Sequence, residues 1–423
     1  MAAATEPPES DVVIIGAGAI GLSTAYYLLQ RNVSVTVIDQ GTLQDRCSFG
    51  NAGLVAPSHF IPLASPGVIA KGLKWMLNPE SPFYIHPRLD LNLLKWLWKF
   101  RHFATMEYVV RHRGPLLEML SLTLTLFQEM KTPDPASFEF RQHGLLMLIE
   151  QEQNRKELDL LYRTAQELNV PAKWLSQAEI RELDPDLQTD CPAGLYFPED
   201  AHIEPGKFLR EMSTYLQKQG VKIIENTPVH KIRREGSHIT GVDTAAGFVP
   251  AKSIVLATGA WTPRLTRELG VDVPIQPAKG YSLTLPAPEN LFYTPLILTE
   301  TKVAVTPFQE TLRFAGTLEF AGINLSINPR RVEAIRKAAR RYLKNIPEDA
   351  LQQATVWAGL RPCTPDGLPI LGRIPEHPNV IIAAGHAMLG ISLSTGSGLL
   401  AAQLVTEETP AINLEPFRVT RFK

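Results

Sequence analysis

Three glycines and one aspartate near the N-terminus have the types and the spacing to hold a dinucleotide. Gly16, Gly18 and Gly21 form a G-x-G-x-x-G pattern, and Asp39 follows eighteen residues after the last of them. In such a pattern the first glycine permits a tight turn, the second lets backbone approach a pyrophosphate, and the third lets a helix pack on a strand. An acid at the position of Asp39 accepts hydrogen bonds from the ribose hydroxyls of an adenosine. It disfavours a cofactor with a 2′-phosphate but does not distinguish FAD from NAD.

The elements around these residues are those that the motif requires. Residues 11–15 are an apolar, β-branched run that predicts a buried parallel strand, and residues 33–38 predict a second one. Between them, apolar side chains recur at helical spacing through residues 22–29. The N-terminus of that helix would offer unpaired N–H groups to phosphates. The alternative is a glycine-rich turn that only packs a helix on a sheet, but the order strand, turn, helix and strand within about thirty residues favours dinucleotide binding.

Three further stretches of small residues predict places where the chain passes close to a cofactor. Residues 47–53 form a loop of small polar residues, and the apolar strand that begins at Ile254 ends in small residues up to Trp261. Residues 379–390 repeat the order strand, glycine turn and helix start. A helix N-terminus aimed at a flavin C2 carbonyl would stabilise the anionic reduced ring, but an ordinary strand–helix connection has the same spacing. The predicted cofactor-binding residues are Gly16, Gly18, Gly21, Asp39, Ser48, Asn51, Ala52, Gly53, Val229, Gly259, Trp261, Gly385, His386, Gly390 and Ile391.

The composition is that of an ordinary globular protein. The 423 residues carry 20% charged and 44% apolar side chains with a formal net charge of −1, so nothing indicates nucleic acid as a partner. Cys47, Cys191 and Cys363 are too few and too scattered for a disulfide framework or a zinc site, and we predict no bound metal. Residues 1–10 lack a basic region and an apolar region, so we expect a cytoplasmic protein without a secretory signal. No run of about 18 apolar residues exists that could span a membrane.

One segment leaves open a contact with the inner face of the cytoplasmic membrane. Residues 89–103 predict a short helix crowded with aromatic side chains and flanked by cations. Such a helix either buries one face in a cap domain, which is the interpretation we favour, or lies in the interface of a bilayer. Residues 330–344 predict a second, basic helix. A basic face is usually only a solvated face, but this one could join the first on an anionic membrane.

Several internal motifs resemble one family of flavoproteins. Together with the N-terminal glycine pattern they are similar to the D-amino-acid oxidase superfamily of FAD-dependent oxidoreductases, and within it to the bacterial D-amino-acid dehydrogenases. The resemblance covers nearly the whole chain. The stretches that carry it are Gly53-Leu-Val-Ala-Pro57, Gly72-Leu-Lys-Trp-Met76, Lys95-Trp-Leu-Trp98, Ala260-Trp261, Lys279-Gly-Tyr-Ser-Leu-Thr284, Gly359-Leu-Arg-Pro-Cys-Thr-Pro-Asp-Gly-Leu-Pro369 and Thr409-Pro-Ala-Ile412.

The resemblance implies a Rossmann-type FAD-binding domain, discontinuous in sequence, with a substrate domain built on an antiparallel sheet. The order of elements read from the sequence agrees with this fold. The predicted fold class is α/β plus α+β. A predicted helix over 205–219 and a strand at 221–224 continue the nucleotide-binding domain after a long insertion, and 271–325 predicts several strands with turns. The predicted ranges are 1–85, 195–270 and 350–423 for the FAD-binding domain and 86–194 and 271–349 for the substrate or cap domain.

The resemblance assigns Arg361 to the substrate. In this superfamily the arginine of the Gly-Leu-Arg-Pro motif holds the substrate carboxylate, and a planar guanidinium pairs with a carboxylate through two parallel hydrogen bonds. An ion pair within the fold, with Asp366, is the alternative. Tyr281 is a candidate second donor to the carboxylate, unless it is a packed side chain whose hydroxyl is satisfied internally. His59 is a further candidate for the pocket.

Two departures from the dehydrogenase pattern leave the preferred substrate open. The dehydrogenases usually have Gly-His-Gly where this chain has Gly385-His386-Ala387, and they also differ around residues 57–60. Both places are expected to line the substrate side, so D-proline or a hydroxy-D-proline is an alternative substrate. Sarcosine-oxidase relatives attach the flavin to a cysteine about where Gly359 lies, and Cys363 does not align with it. The resemblance therefore implies non-covalent FAD.

The implied reaction is the oxidation of a D-α-amino acid to the imino acid, which hydrolyses to a 2-oxo acid and ammonia. The electrons would pass to a quinone or a similar acceptor, and the protein's main contribution would be orientation of the substrate. The alternatives are an oxidase that reduces dioxygen, such as a glycine or sarcosine oxidase, and a non-catalytic FAD-binding subunit of a larger complex. An NAD-dependent reductase is disfavoured because the C-terminal segment returns to the cofactor.

Overall fold

A computed structural model describes residues 10–76 and 81–422 of the chain. The N-terminal stretch from which we predicted the lack of a secretory signal lies outside these residues, except for Ser10. The helices are α1 (Ala19–Leu29), α2 (Val68–Met76), α3 (Leu91–Phe103), α4 (Met106–Glu129), α5 (Arg155–Glu167), α6 (Gln177–Leu183), α7 (Pro205–Lys218), α8 (Thr262–Glu268), α9 (Pro329–Tyr342), α10 (Glu348–Gln353) and α11 (Ser394–Val405). The strands are β1 (Ser10–Ile15), β2 (Val35–Ile38), β3 (Leu54–Val55), β4 (Phe83–Ile85), β5 (Leu145–Ile149), β6 (Lys173–Ser176), β7 (Ala193–Phe197), β8 (Ala201–His202), β9 (Lys222–Ile224), β10 (Val229–Glu235), β11 (His238–Thr244), β12 (Gly247–Leu256), β13 (Gln276–Pro286), β14 (Leu296–Leu298), β15 (Val303–Pro307), β16 (Thr311–Phe320), β17 (Thr355–Cys363), β18 (Ile370–Ile374) and β19 (His377–Ala384).

The first sheet is the nucleotide-binding sheet that the glycine motif predicted. Its parallel strands lie in the order β19-β12-β1-β2-β9, and an antiparallel meander of β10, β11 and the start of β12 extends it. Both faces of β1 are covered, since Val12 and Ile14 belong to the core on the side of α1, whereas Val13 and Ile15 belong to the core beneath the meander. A strand buried on both faces needs a continuous apolar run, which is what residues 11–15 supply.

The second sheet has the strand order β17-β13-β16-β15-β14-β5-β7-β6, with β4 added beside β16. Its strands pair antiparallel except at β14/β5 and β16/β4. The helices α9 and α10 cover one face of it, where Val332 and Ile335 pack among Leu283 and Phe314. The predicted fold class, a Rossmann-type domain with a substrate domain on an antiparallel sheet, is confirmed.

Sheet membership departs from the predicted domain ranges at several elements. The strands β4, β7 and β17 pair in the second sheet. The predicted FAD-binding domain, residues 1–85, 195–270 and 350–423, includes all or most of each of these strands. Conversely, α4 packs against α11, where the Thr123 hydroxyl donates to Met119 O and accepts from Gly396 N–H. The physical reason is that a strand's partner is chosen by backbone pairing across long sequence separations, which a local apolar pattern does not encode.

None of the helices in the described parts of the chain is both long enough and apolar enough to cross a membrane. The aromatic segment forms α3, and its Leu93, Trp96 and Phe100 are buried against Phe320 and Ala278. The buried face that we favoured for this segment is therefore present. The opposite face of the helix is considered below.

Candidate active site

A cavity of about 650 Å³ opens at the carboxyl ends of the parallel strands and is bounded by both sheets. Its walls come from the loops after β1, β2 and β12, and from β13 and β17 of the second sheet. The volume lies in the range of sites that hold cofactors and small ligands, and the carboxyl edge is where open α/β sheets bind them.

The glycines of the motif form one end of this cavity. Gly16 has a φ of +106°, and a Cβ there would lie 2.4 Å from the carbonyl oxygen of Ala257. Gly18 is the N-cap residue of α1 and offers no side chain to cap it. The N–H of Ala19 donates to Ser48 Oγ at 3.1 Å, which places the predicted loop residue Ser48 at the start of the helix. The lack of a capping side chain at Gly18 and the missing Cβ atoms leave a surface of backbone N–H groups suited to phosphates.

Asp39 lies at the end of β2 and faces the same cavity. Its carboxylate accepts hydrogen bonds from Ala17 N–H at 2.7 Å and from Gly41 N–H at 2.9 Å. Each oxygen retains a lone pair after these bonds, so the side chain is held in place and can still accept from ribose hydroxyls. The predicted role of Asp39 fits this geometry.

Most of the predicted cofactor-binding residues line the cavity, and four do not. Gly21, Gly53 and Gly385 are packing glycines, where a Cβ would come within 1.8, 2.1 and 2.6 Å of neighbouring atoms. Ile391 is a core residue with 1% of its surface exposed. For Gly21 the motif itself predicts packing, whereas the cofactor contact predicted for the other three stays a prediction. The residues that do line it are Gly16, Gly18, Asp39, Ser48, Asn51, Ala52, Val229, Gly259, Trp261, His386 and Gly390.

Arg361 lies on β17 and reaches the cavity from the second sheet. Among the described residues its guanidinium has one hydrogen-bond partner, the carbonyl oxygen of Gly316 at 3.3 Å. Gly280 on the adjacent strand makes room for it, because a Cβ there would lie 2.5 Å from Arg361 Nε. Burial lowers the pKa of Arg361 from its ordinary value, although an arginine in a protein stays protonated.

The alternative ion pair between Arg361 and Asp366 is not formed. Asp366 is fully buried and pairs instead with Arg421, whose Nε lies 2.6 Å from Asp366 Oδ2. Tyr108 donates to the same carboxylate oxygen at 3.0 Å. The carboxylate is thereby satisfied within the fold, and Arg361 is left facing the cavity without an acidic partner among residues 10–76 and 81–422.

Tyr281 lies in the cavity wall, but its hydroxyl points into the second sheet. It donates to Glu319 Oε2 at 2.7 Å, and both side chains are buried. Lys279 Nζ lies 3.6 Å from the other oxygen of Glu319 and donates to Ser326 O at 2.7 Å. Burial and the Glu319 carboxylate together raise the pKa of Tyr281. The geometry therefore favours the internally satisfied hydroxyl over a second donor to a substrate carboxylate.

His59 also lines the cavity, and its Nδ1 lies 3.2 Å from Ser58 Oγ. The hydroxyl of Ser58 is in turn hydrogen-bonded to Asp200, which also accepts from the Ser58 N–H at 3.1 Å. Burial lowers the pKa of His59 to about 4, so its imidazole is neutral at pH 7. His386 is likewise held neutral, with its pKa lowered to about 3 by burial and its Nε2 2.8 Å from Ser397 Oγ.

Several cavity residues were missed by the sequence analysis. Arg46 and Thr227 lie beside Asp39, and the Thr227 N–H donates to the Asp39 carbonyl oxygen at 2.8 Å. The ring of Trp357 lies against two glycines, since a Cβ at Gly50 or at Gly359 would come within 2.2 or 2.0 Å of it. Gly50 and Gly359, which leave space for the ring, were the features of the sequence that could have indicated the position of Trp357. No local pattern marked Arg46 or Thr227, because their proximity depends on the pairing of β9 with β2.

The cysteines are free, and only Cys47 of the three lines the cavity. Its sulfur accepts from the Leu360 N–H at 3.3 Å, and burial raises its pKa to about 11, so it is a protonated thiol at neutral pH. Cys363 is fully buried outside the lining. Across the described chain, no three His, Cys, Asp or Glu side chains converge as metal ligands would.

The residues present fit FAD. The end with Gly16, Gly18 and Asp39 has the backbone cradle and the acceptor for a pyrophosphate and a ribose, and β17 of the second sheet contributes Trp357 and Arg361 to the wall. Residues of the C-terminal segment, His386 and Gly390, also border the cavity. The segment that leads into α11 borders the site, as the sequence predicted, and this favours a ligand longer than a mononucleotide.

Comparison with known proteins agrees with this arrangement. The family model "DAO: FAD dependent oxidoreductase" matches residues 11–404. Glycine oxidase from Geobacillus kaustophilus is similar in structure, with a TM-score of 0.76, 24% identity, and coverage of 98% of this chain and 99% of that chain. L-proline dehydrogenase from P. horikoshii gives 0.75 and 21% identity over 99% and 98% of the two chains. Glycine oxidase from Bacillus cereus gives 0.74 and 22% identity over 95% and 96%.

At these identities the solved structures show a shared fold, whereas the family match covers nearly the whole chain. The family that we recognised from the internal motifs is thereby confirmed, and FAD is its cofactor. The chain belongs to the DAO family of FAD-dependent oxidoreductases.

Proposed function

We propose that this protein is an FAD-dependent dehydrogenase that oxidises D-amino acids to imino acids, which hydrolyse to 2-oxo acids and ammonia. The observation that carries the proposal is Arg361, a cation in the cavity wall without an acidic partner among the described residues. The similarity of the motif Gly359–Pro369 to that of the dehydrogenases supports the choice of a D-amino acid.

A partly buried guanidinium with one weak hydrogen bond is costly unless a ligand completes its coordination. Arg361 bonds only to Gly316 O at 3.3 Å, which leaves most of its five N–H donors for another acceptor. A substrate carboxylate has the charge and the planar geometry that match them. Holding the carboxylate fixes the orientation of the substrate Cα–H bond in the site, and orientation is the main contribution that the protein makes to this reaction.

The hydride acceptor is the bound flavin, which supplies the redox chemistry. We propose that it is held non-covalently, since the position at which sarcosine-oxidase relatives carry a cysteine is Gly359 and Cys363 is buried outside the cavity. The electrons would then leave to a quinone or a similar acceptor.

Two alternatives remain in the same site. One is a D-proline or hydroxy-D-proline dehydrogenase, which is supported by the departure of His386-Ala387 from the Gly-His-Gly motif of the D-amino-acid dehydrogenases. The other is an oxygen-using amine oxidase of the glycine or sarcosine type, and the similar solved structures include both glycine oxidases and a proline dehydrogenase. The substrates of all three activities carry a carboxylate, so Arg361 would hold each of them in the same way.

An anaerobic spectral titration of the purified protein separates these functions. D- and L-amino acids, proline analogues, glycine and sarcosine are added in turn, and bleaching of the flavin absorbance reports oxidation of the ligand. Re-oxidation of the bleached protein by air or by a quinone analogue then distinguishes an oxidase from a dehydrogenase. Bleaching by D-amino acids with re-oxidation by quinone is the expected result. Bleaching by none of these ligands would contradict the proposal.

We further propose that α3 docks the protein on an anionic membrane surface, where a quinone acceptor would be at hand. Leu91, Leu94 and Trp98 project from the face opposite the buried one and are 76%, 57% and 71% exposed. Lys95 and Arg101 flank this strip on its two sides, and residues 91–103 contain no acid. An apolar strip bordered by cations has the charge and shape of an interfacial helix on anionic lipid.

We leave the basic helix α9 out of the proposed membrane surface. Arg340 pairs with Glu333 and Glu348, Arg341 pairs with Glu150, and Arg331 is buried. In the sequence analysis we kept the possibility that α9 joins α3 on a membrane. In the structure, however, the charges of α9 are largely neutralised by acids of the protein. The proposed membrane contact therefore rests on α3 alone.

A further inference from the structure

Asp200, Ser58 and His59 form a hydrogen-bonded chain that ends at the cavity. Asp200 and Ser58 are 1% and 0% exposed, and the two hydrogen bonds from Ser58 reach both carboxylate oxygens. The other side of the Ser58 hydroxyl is 3.2 Å from His59 Nδ1. Among the described residues His59 Nε2 has no hydrogen-bond partner, and His59 is part of the cavity wall.

The hydrogen-bonding capacity of these groups assigns the proton on His59. Burial raises the pKa of Asp200 to about 7, so above that pH the carboxylate is ionised and only accepts, and the single hydroxyl proton of Ser58 is directed to it. The Ser58 oxygen must then accept the third hydrogen bond of the chain, and the donor to it is Nδ1–H of the neutral imidazole. It follows that Nε2 carries no proton and presents a lone pair to the cavity.

We infer that His59 Nε2 accepts a hydrogen bond from the substrate amino group, and that Ser58 and Asp200 are positioning residues that hold His59 in this tautomer. The inference rests on the proposed function, since it assigns the second recognition element of the same site. Arg361 then recognises the carboxylate and His59 the amine, which explains how the site distinguishes an amino acid from a simple carboxylate. Ser58 and Asp200 touch neither group, because both are buried behind His59.

An isosteric substitution of Asp200 tests this chain without emptying the site. The Ser58 N–H must donate to an acceptor, so the amide oxygen of Asp200→Asn takes that place and its NH₂ group faces Ser58 Oγ. The hydroxyl of Ser58 is then directed to His59 Nδ1, and the imidazole proton moves to Nε2. An isosteric change at the buried acid thus reverses the tautomer, and the lone pair offered to the amine is replaced by an N–H donor.

The tautomer is measured directly by ¹⁵N–¹H correlation of the histidine imidazoles in the holoprotein, with His59 assigned by its loss in His59→Gln. At a pH well above 7, where Asp200 is ionised, we expect Nδ1–H in the unsubstituted protein and Nε2–H in Asp200→Asn. A matched control is Asp184→Asn, because Asp184 is another fully buried acid that accepts from backbone N–H groups and does not line the cavity. It should leave the His59 signal unchanged. An Nε2–H tautomer in the unsubstituted protein at that pH overturns the inference even if no Asp200 variant folds.

Ligand binding supplies the second readout, with propionate as the probe that has a carboxylate and no amine. In Asp200→Asn the KM for an amino acid that the protein oxidises should rise roughly tenfold or more, because one hydrogen bond to a charged group is lost. The Kd of propionate should stay within twofold. Arg361→Ala should weaken both. Equal losses for both ligands in Asp200→Asn would show a merely structural role. If no amino acid is oxidised at all, the proposed function fails, whereas the imidazole spectrum still decides the tautomer.

Discussion

The two ends of the cavity are built in different ways. The nucleotide end comes largely from one continuous stretch, in which Gly16, Gly18, Asp39 and Ser48 follow one another around a single strand–helix–strand unit. The end that we propose for the substrate draws on His59, Arg361 and His386, which belong to separate elements. Backbone groups dominate the first end, and side chains dominate the second.

Because of this difference, the two ends of the cavity should tolerate substitutions to different degrees. The nucleotide end recognises a constant ligand through backbone geometry, which tolerates few substitutions because a Cβ in the wrong place blocks it. The substrate end recognises through side chains on a rigid sheet, each of which can be replaced without rebuilding the fold. We therefore expect substitutions at the first end to remove the cofactor and those at the second end to change turnover with the cofactor in place.

The largest effect should come from Gly18→Val. A Cβ at this position would lie 3.3 Å from Ser48 Oγ, which the fold accommodates with a small shift, but the branched side chain would occupy the space that the pyrophosphate needs. We expect a folded protein purified without flavin and without activity, measured by absorbance and by the FAD released on acid precipitation. Gly114→Val on α4 is the control, because a Cβ there meets nothing within 4 Å. Full flavin content in Gly18→Val would remove the basis of the comparison.

Arg361→Ala tests the other end. Loss of the charge-assisted contact to the substrate carboxylate should cost about 1.5–3 kcal/mol of transition-state stabilisation, which lowers kcat/KM roughly ten- to 150-fold. Both KM and kcat should change, because this contact also aligns the substrate. The flavin content should not change. Arg361→Lys keeps the charge without the planar fork and should recover part of the activity.

The matched control for Arg361 is Arg421, the arginine that does pair with Asp366. Arg421→Ala leaves a buried carboxylate without its cation, so it should lower the melting temperature with little effect on KM. An Arg361→Ala variant that loses stability and flavin together, with normal turnover in the remaining holoprotein, would make Arg361 structural.

Tyr281→Phe should have a smaller effect and concerns stability. The hydroxyl donates to the buried Glu319, so its removal should cost about 0.5–1.5 kcal/mol in the free energy of unfolding, measured by denaturant titration. We expect KM for the amino acid to stay within twofold. An increase in KM comparable to that of Arg361→Lys would restore Tyr281 as a second donor to the carboxylate.

The smallest effect concerns the outer side of the substrate end. The buried face of α3 reaches this wall, since Trp96 Nε1 donates to Cys363 O at 2.9 Å, two residues beyond Arg361. Replacing Leu94 and Trp98 by serine should reduce co-sedimentation with anionic vesicles several-fold, and high salt should weaken the binding of the unsubstituted protein. Leu160→Ser, an exposed leucine on α5, is the control. Absence of binding to anionic and neutral vesicles alike would leave α3 as an ordinary domain helix.

How much the sequence predicted follows the same division. The motif at Gly16 to Asp39 predicted the parallel sheet, the helix and the acceptor for ribose, because all of its interactions are local in the chain. The tautomer of His59 depends on Asp200, which lies 142 positions from Ser58, and no pattern in the sequence connects them. Likewise, only the pairing of β17 with β13 places Arg361 beside Gly280.

The amino-acid sequence by itself determined the nucleotide-binding unit, the fold class and the family, and it singled out Arg361 through a motif. The tertiary structure decided which acid pairs with which arginine, that the Tyr281 hydroxyl is occupied, and that α3 is apolar on two faces. It also placed Gly53, Gly385 and Ile391 outside the lining of the cavity. The physical reason is range: hydrophobic periodicity and turn geometry act between neighbours in the chain, whereas burial and hydrogen-bond partners are fixed only when distant strands pair.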